Sequence, residues 1–122
     1  MSDNYFEKIK SKMNELAHLV YRLTVGFPKN ELYGVVSQLR RSSLSVVLNY
    51  IEGYARVRDK VQANFLEISY GSLQETKYLL EFSFEEKYIK KSDYEYAIGL
   101  SDEIGAMLWT TIRMVKNRTN FV

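Results

Sequence analysis

Apolar residues recur along this chain at steps of three and four, the spacing that lines one face of a helix. Over residues 3–25 they fall at Phe6, Ile9, Met13, Leu16, Val20 and Leu23. A first helix is predicted there, with Asp3 as its N-cap, because a carboxylate accepts from the free amides of a first turn. Gly26, Phe27 and Pro28 end it, since proline disfavours helical geometry in the residue before it. A second helix is predicted over residues 29–54, opening beside Pro28, whose missing amide would lack a partner in a first turn anyway. Its repeat runs through Leu32, Val35 or Val36, Leu39, Ser43, Val46 or Val47, and Tyr50, and Gly53 loosens its end.

The third segment, residues 60–86, opens behind Asp59 as N-cap and carries two apolar stripes. Phe65, Ile68, Ser72, Leu79 and Phe82 form one, and Leu66, Tyr70, Leu73, Leu80 and Phe84 the other. A helix apolar over so wide an arc is buried on more than one side, and in a chain this short the second side is expected to meet another subunit. Gly71 lies inside this helix at a cost of about 1 kcal/mol relative to alanine, which close approach of a helix would explain. Ser92-Asp93-Tyr94-Glu95 reads as a capping box, followed by Ala97 or Ile98, Ser101, Ile104, Leu108, Ile112 and Val115 over residues 92–116. No strand signal of comparable strength competes. Four helices of roughly 25 residues with short turns predict an all-α, up-down-up-down bundle, one domain over 1–122.

Composition narrows the class. The chain is 46% apolar and 26% charged with no cysteine, so disulfides, thiolate catalysis and cysteine-ligated metals are excluded. No run reaches the roughly 18 apolar residues that a membrane span needs, and no cleavable leader pattern opens the chain; a cytoplasmic protein is the expectation. The formal charge of +2 is small, but it is unevenly placed. Arg40, Arg41, Arg56, Arg58 and Lys60 face only Glu52 and Asp59 between residues 40 and 60, and Arg113, Lys116 and Arg118 close the last helix with no acid among them. Residues 67–86 lean acidic through Glu67, Glu75, Glu81, Glu85 and Glu86. Such a distribution reads either as solvated helix faces or as a basic surface that steers a polyanion.

Candidate chemistry is sparse. Glu15 and His18 form the Glu-x-x-His spacing used twice in di-iron bundles, but His18 is the only histidine, so one chain cannot complete that set. No phosphate loop surrounds Gly53, Gly71 or Gly105, and Ser42, Ser43 and Ser45 have no histidine base near them in sequence. No enzyme, metal or cofactor is expected. Tyr50, Tyr54, Tyr70 and Tyr78 are candidates for stacking on bases, against the alternative of half-buried packing positions. Arg40 and Arg41 differ by about a hundred degrees around the helix, so at least one is exposed and the other is free to tie down Glu52. With Arg56, Arg58 and Lys60 they form the candidate phosphate-contacting set. Asn49 and Glu52, three residues apart, together with Gly53 and Gly71, are candidates for helix or subunit contacts.

Four stretches carry a resemblance. F-P-K-N-E-L-Y-G-V-V-S-Q-L-R-R-S-S followed by N-Y-I-E-G-Y-A-R, then N-F-L-E-I-S-Y-G-S-L-Q-E and I-G-A-M-L-W-T-T-I-R-M-V-K, resemble the bacterial proteins encoded in intervening sequences of 23S ribosomal RNA genes, once labelled S23 ribosomal proteins. The positions that match are Gln38, Leu39, Arg40, Arg41, Asn49, Glu52, Gly53 and Arg56. The resemblance implies a four-helix bundle, a homo-oligomer with a pentameric ring among relatives, and no established enzymatic activity. It also implies kinship with the accessory protein of diversity-generating retroelements, a basic ring that binds nucleic acid and a reverse transcriptase. Relatives often have proline where this chain has Val47, which implies a straighter second helix here. Two readings follow: an oligomer that binds RNA or another nucleic acid through the basic region, or an oligomeric adaptor for a protein partner.

Overall fold

The computed structural model describes residues 3–119, and among them every regular element is helical. Four helices, α1 (Asp3–Thr24), α2 (Ser37–Tyr54), α3 (Asp59–Glu85) and α4 (Lys91–Thr119), follow one another with short links. Each packs against its neighbours in sequence, and α4 closes the square against α1, the up-down-up-down arrangement that short links favour.

The core sits where the periodicity placed it. Ile9, Met13, Leu16 and Val20 from α1 meet Leu39, Val46 and Tyr50 from α2, Leu66, Leu73 and Leu80 from α3, and Ile104 and Leu108 from α4. All are almost wholly withdrawn from water. The two stripes of α3 divide unequally. Leu66, Leu73 and Leu80 are core, whereas Phe65, Leu79 and Phe82 are half-buried and Ile68 is exposed.

The link between α1 and α2 departs from the predicted helix over 29–54. Residues 29–36 form a tight 3₁₀ turn (Lys29–Glu31) and a wide π-type turn (Leu32–Val36), and regular helix begins only at Ser37. The break falls at Gly34, whose φ of −109° and ψ of −115° lie outside helical geometry. The Glu31 carboxylate crosses over Gly34, 2.7 Å from where a Cβ would stand, and accepts the Tyr88 hydroxyl at 2.8 Å. Downstream, α2 runs uninterrupted through Val47 to Tyr54.

Three residues predicted as caps lie inside their helices instead. Asp3 and Asp59 are the first residues of α1 and α3 rather than caps before them, and Arg58 holds the extended cap position of α3. The carboxylates serve tertiary contacts instead: Asp3 accepts the Tyr54 hydroxyl and Asp59 accepts from Arg118. Ser92 lies inside the first turn of α4, which begins at Lys91. At the far end of α3, Lys87 takes a left-handed φ of 66°. The Tyr88 amide then reaches the Ser83 carbonyl and the Lys87 amide that of Phe84, a Schellman closure.

Between α2 and α3, beside the apolar core, small hydroxyls form a seam of close contact. Ser69 Oγ donates to the Val46 carbonyl at 2.6 Å, Thr76 Oγ1 to Ser42 Oγ at 2.8 Å, and Ser45 and Ser72 share a bond of 2.8 Å. Gly53 closes this seam, since a Cβ there would meet Leu66 Cδ2 and Phe65 Cβ at 3.2 Å. Such a seam has no room for larger groups. Ser69→Val is expected to lower stability by about 1–3 kcal/mol through overpacking, and Ser69→Ala by about 1 kcal/mol through the lost bond. Urea denaturation of both variants checks that order.

Candidate nucleic-acid interface

The antiparallel topology brings the end of α2, the start of α3 and the end of α4 to one end of the bundle. Arg118 ties them, donating to Asp59 Oδ1 at 3.3 Å and to Gln62 Oε1 at 2.8 Å, while Gln62 in turn donates to the Gly53 carbonyl at 3.1 Å. The first turns of α1, at this same end, bring Asp3 and Glu7 as well as Lys8 and Lys10, and the other three segments carry Arg56, Arg58, Lys60, Arg113, Lys116 and Arg118 against the three acids Glu52, Asp59 and Glu67. The three acids are each engaged: Arg56 pairs with Glu52, Lys116 with Glu67 at 2.8 Å, and Arg118 with Asp59. Arg58, Lys60 and Arg113 are exposed, with no carboxylate among the described residues in ion-pair contact. The positive excess therefore rests on these three, and Lys116 and Arg118 stand where cations also complement the α4 dipole.

The candidate phosphate-contacting set is divided by the fold. Arg58 and Lys60 stand free at this end. Arg56 is partly engaged, its guanidinium lying 5.1 Å from the Phe65 ring centre as well as pairing with Glu52. Arg40 and Arg41 are fifteen and more residues upstream on α2, about 22 Å away at 1.5 Å per residue. Arg40 is half-buried, donates from Nε to Thr24 Oγ1 at 2.9 Å and stacks 4.7 Å from the Tyr21 ring centre, which joins α1 to α2. Arg41 is exposed and pairs with Glu75 of α3 and with Gln38. Glu52 is thus held by Arg56 and not by either member of the Arg-Arg pair.

The candidate contact residues also separate. Asn49 donates back to the Ser45 carbonyl at 2.9 Å, so its needs are met within α2. Gly53 makes the close approach described above. Gly71 does not: a Cβ there would meet nothing within 4 Å, and it opens instead onto a shallow groove beside Tyr70 and Trp109. Among the tyrosines, Tyr50 is fully buried and stacked 5.1 Å from Phe6, which removes it from the base-stacking candidates. Tyr54 stacks 3.8 Å from the same ring, Tyr70 tilts against Trp109 at 5.5 Å, and Tyr78 is exposed.

His18 is exposed and Glu15 accepts the Tyr96 hydroxyl. Among the described residues no group of three or more His, Asp or Glu is placed to hold a metal ion, and no helix is long and apolar enough to cross a membrane.

The family model described as 23S rRNA-intervening sequence protein matches residues 7–110. The chain belongs to this family. No curated protein matches it significantly. Among solved structures, it is similar to a protein of unknown function from the S23 ribosomal protein family of Bacteroides thetaiotaomicron VPI-5482. That likeness has 27% identity and a TM-score of 0.77, and covers 85% of this chain and 97% of the other. For this family member, the match takes in the whole α2–α3 arm of the basic end but stops before Arg113, Lys116 and Arg118. The sequence pattern showed those three as an acid-free tail, and only the antiparallel topology joins them to Arg58 and Lys60.

Tyrosine–carboxylate bonds lace the helices together and give the fold an alkaline limit. The hydrogen bonds to Asp3, Glu31 and Glu15 raise the pKa values of Tyr54, Tyr88 and Tyr96, and burial raises those of Tyr50 and Tyr94, all from an ordinary value of 10.0. A raised folded-state pKa means that the neutral phenol is favoured by folding. Its contribution is complete below about pH 10 and is lost as pH rises through the folded values. The melting temperature is expected to fall above pH 10, and Tyr96→Phe to weaken that fall. Thermal scans between pH 8 and pH 11, as orders of the ordinary tyrosine range, check both.

Proposed function

We propose that this protein is a non-enzymatic, self-associating four-helix bundle that binds RNA through its basic end. The observation that carries the reading is that Arg58, Lys60 and Arg113, on segments that the topology brings to one end, are exposed without carboxylate partners among the described residues. Free cations on a rigid scaffold take phosphates with little reorganisation, and release of counterions makes such binding salt-sensitive and indifferent to base sequence. The family's link to ribosomal RNA genes favours RNA as the polyanion.

Self-association is supported by the outward face of α2. Leu44, Leu48 and Ile51 follow one another at steps of four and three, with Leu48 60% exposed. The Arg56–Glu52 pair borders them, setting charge beside an apolar centre, as subunit contacts have. A second reading, an adaptor that docks a protein partner on this same α2 face, draws on the same three residues.

Light scattering of the purified protein, with and without a short structured RNA, at low and at physiological salt, tests the proposal. The expected result is an oligomer that takes up RNA at low salt and releases it as salt rises. An oligomer that ignores RNA even at low salt turns the assignment to the adaptor, and a monomer overturns the self-association.

A further inference from the structure

A second cationic surface lies at the other end of α2. The wide turn around Gly34 projects Tyr33 outward, 92% exposed. Tyr33 borders a groove of about 430 Å³ shared with Tyr21, Ser37, Arg40, Arg41 and Leu44. No carboxylate lines it. Tyr21 is already covered by the Arg40 guanidinium, whereas the Tyr33 ring has so little intramolecular cover that both faces are open. Arg41 lies exposed in the same groove, and its contacts to Glu75 and Gln38 are at the surface, where ion pairs are weak and exchange readily for a phosphate.

A free aromatic face beside the exposed Arg41 guanidinium, with no acid lining the groove between them, has the alternating chemistry of a single nucleic-acid strand: a base to stack and a phosphate to pair. A duplex offers the phosphates but keeps its bases stacked inside. We infer that this groove takes one nucleotide of single-stranded RNA, its base on Tyr33 and its phosphate on Arg41. The inference rests on the RNA reading above and adds strand selectivity to it. The basic end holds any phosphate backbone, and the groove holds only an unpaired base.

The test compares octauridylate with a fully paired RNA duplex, using the native protein and three variants, Tyr33→Ala, Tyr33→Leu and Tyr33→Phe. Tyr33 is exposed, so these variants retain the fold. Loss of one stacked base weakens binding by roughly 5- to 150-fold. The expected result is that loss for octauridylate in Tyr33→Ala and Tyr33→Leu, native binding in Tyr33→Phe, and unchanged duplex binding in all three. A 4-thiouridine in the oligomer is expected to crosslink to residue 33 of the native chain. Native binding of octauridylate by Tyr33→Leu overturns the inference, because the groove then reads apolar bulk as a protein ligand would. Native binding by Tyr33→Ala, or equal losses for duplex and single strand, overturns it too while leaving the basic-end reading intact. Binding of neither RNA by the native protein overturns both.

Discussion

Replacing Arg58, Lys60 and Arg113 together by alanine is expected to weaken RNA binding on the order of 100-fold at 0.15 M salt. It is also expected to flatten the log–log salt slope by about 2 to 3, one phosphate contact being lost per side chain. The three are exposed and lack carboxylate partners among the described residues, so stability is expected to stay within about 0.5 kcal/mol. Arg40→Ala is the contrasting case. It removes the bond to Thr24 and the stacking on Tyr21, and is expected to lower stability by about 1–2 kcal/mol. Filter binding across a salt series, with urea denaturation of the same variants, separates the arginines that meet RNA from the one that holds α1 to α2. If the triple variant binds RNA with the native slope, the basic end is not the contact surface.

Leu44→Glu combined with Leu48→Glu is expected to yield a monomer of 14.3 kDa. Leu48 is 60% and Leu44 37% exposed, and neither belongs to the buried core, so the fold survives the change. Covering what is still exposed of the two against a second copy contributes about 1.5–3 kcal/mol in all. Losing both weakens association by roughly ten- to a hundred-fold, before the repulsion between introduced carboxylates and the neighbouring Glu52 is counted. Sedimentation of the variant beside the native protein is the check. An unchanged mass means that α2 does not form the contact, and the exposed Ile68 of α3 becomes the next face to alter.

The fold was legible because one signal dominates it. Residues such as Ile9, Met13, Leu16 and Val20, or Leu66, Leu73 and Leu80, repeat at the spacing of a helix buried along its length, and each is buried. The break at Gly34 was hidden by that same signal, since Leu32, Val35 and Leu39 keep helical spacing through a turn that is not regular helix. Periodicity counts residues and does not report φ and ψ. Cap positions at Asp59 and Ser92 slipped for a related reason: an acid or hydroxyl suits the first turn nearly as well as the cap before it.

The candidate site was legible only as a list of charges. That Arg58 is exposed follows from its place in a short link, and Lys60 stands exposed in the first turn of α3. That Arg40 reaches Thr24 and Arg41 reaches Glu75 depends on the register of α2 against α1 and α3, which local spacing does not contain. Gly71 shows the same limit in reverse: its small size suggested a close helix, yet α3 turns that position outward. Tyr33 gave no signal at all, because it sat inside a segment predicted to be helix and was one of ten tyrosines.

The most direct test of the RNA reading is a lysine footprint: brief acetylation of the protein with and without a bound RNA duplex, which the Tyr33 groove does not take, read by mass spectrometry. Lys60 and Lys116 at the basic end are expected to be protected by RNA, while Lys90 and Lys91 at the opposite end of the bundle keep their reactivity. Protection of Lys90 and Lys91 with Lys60 and Lys116 unchanged, or no protection under conditions where RNA is bound, would contradict the account.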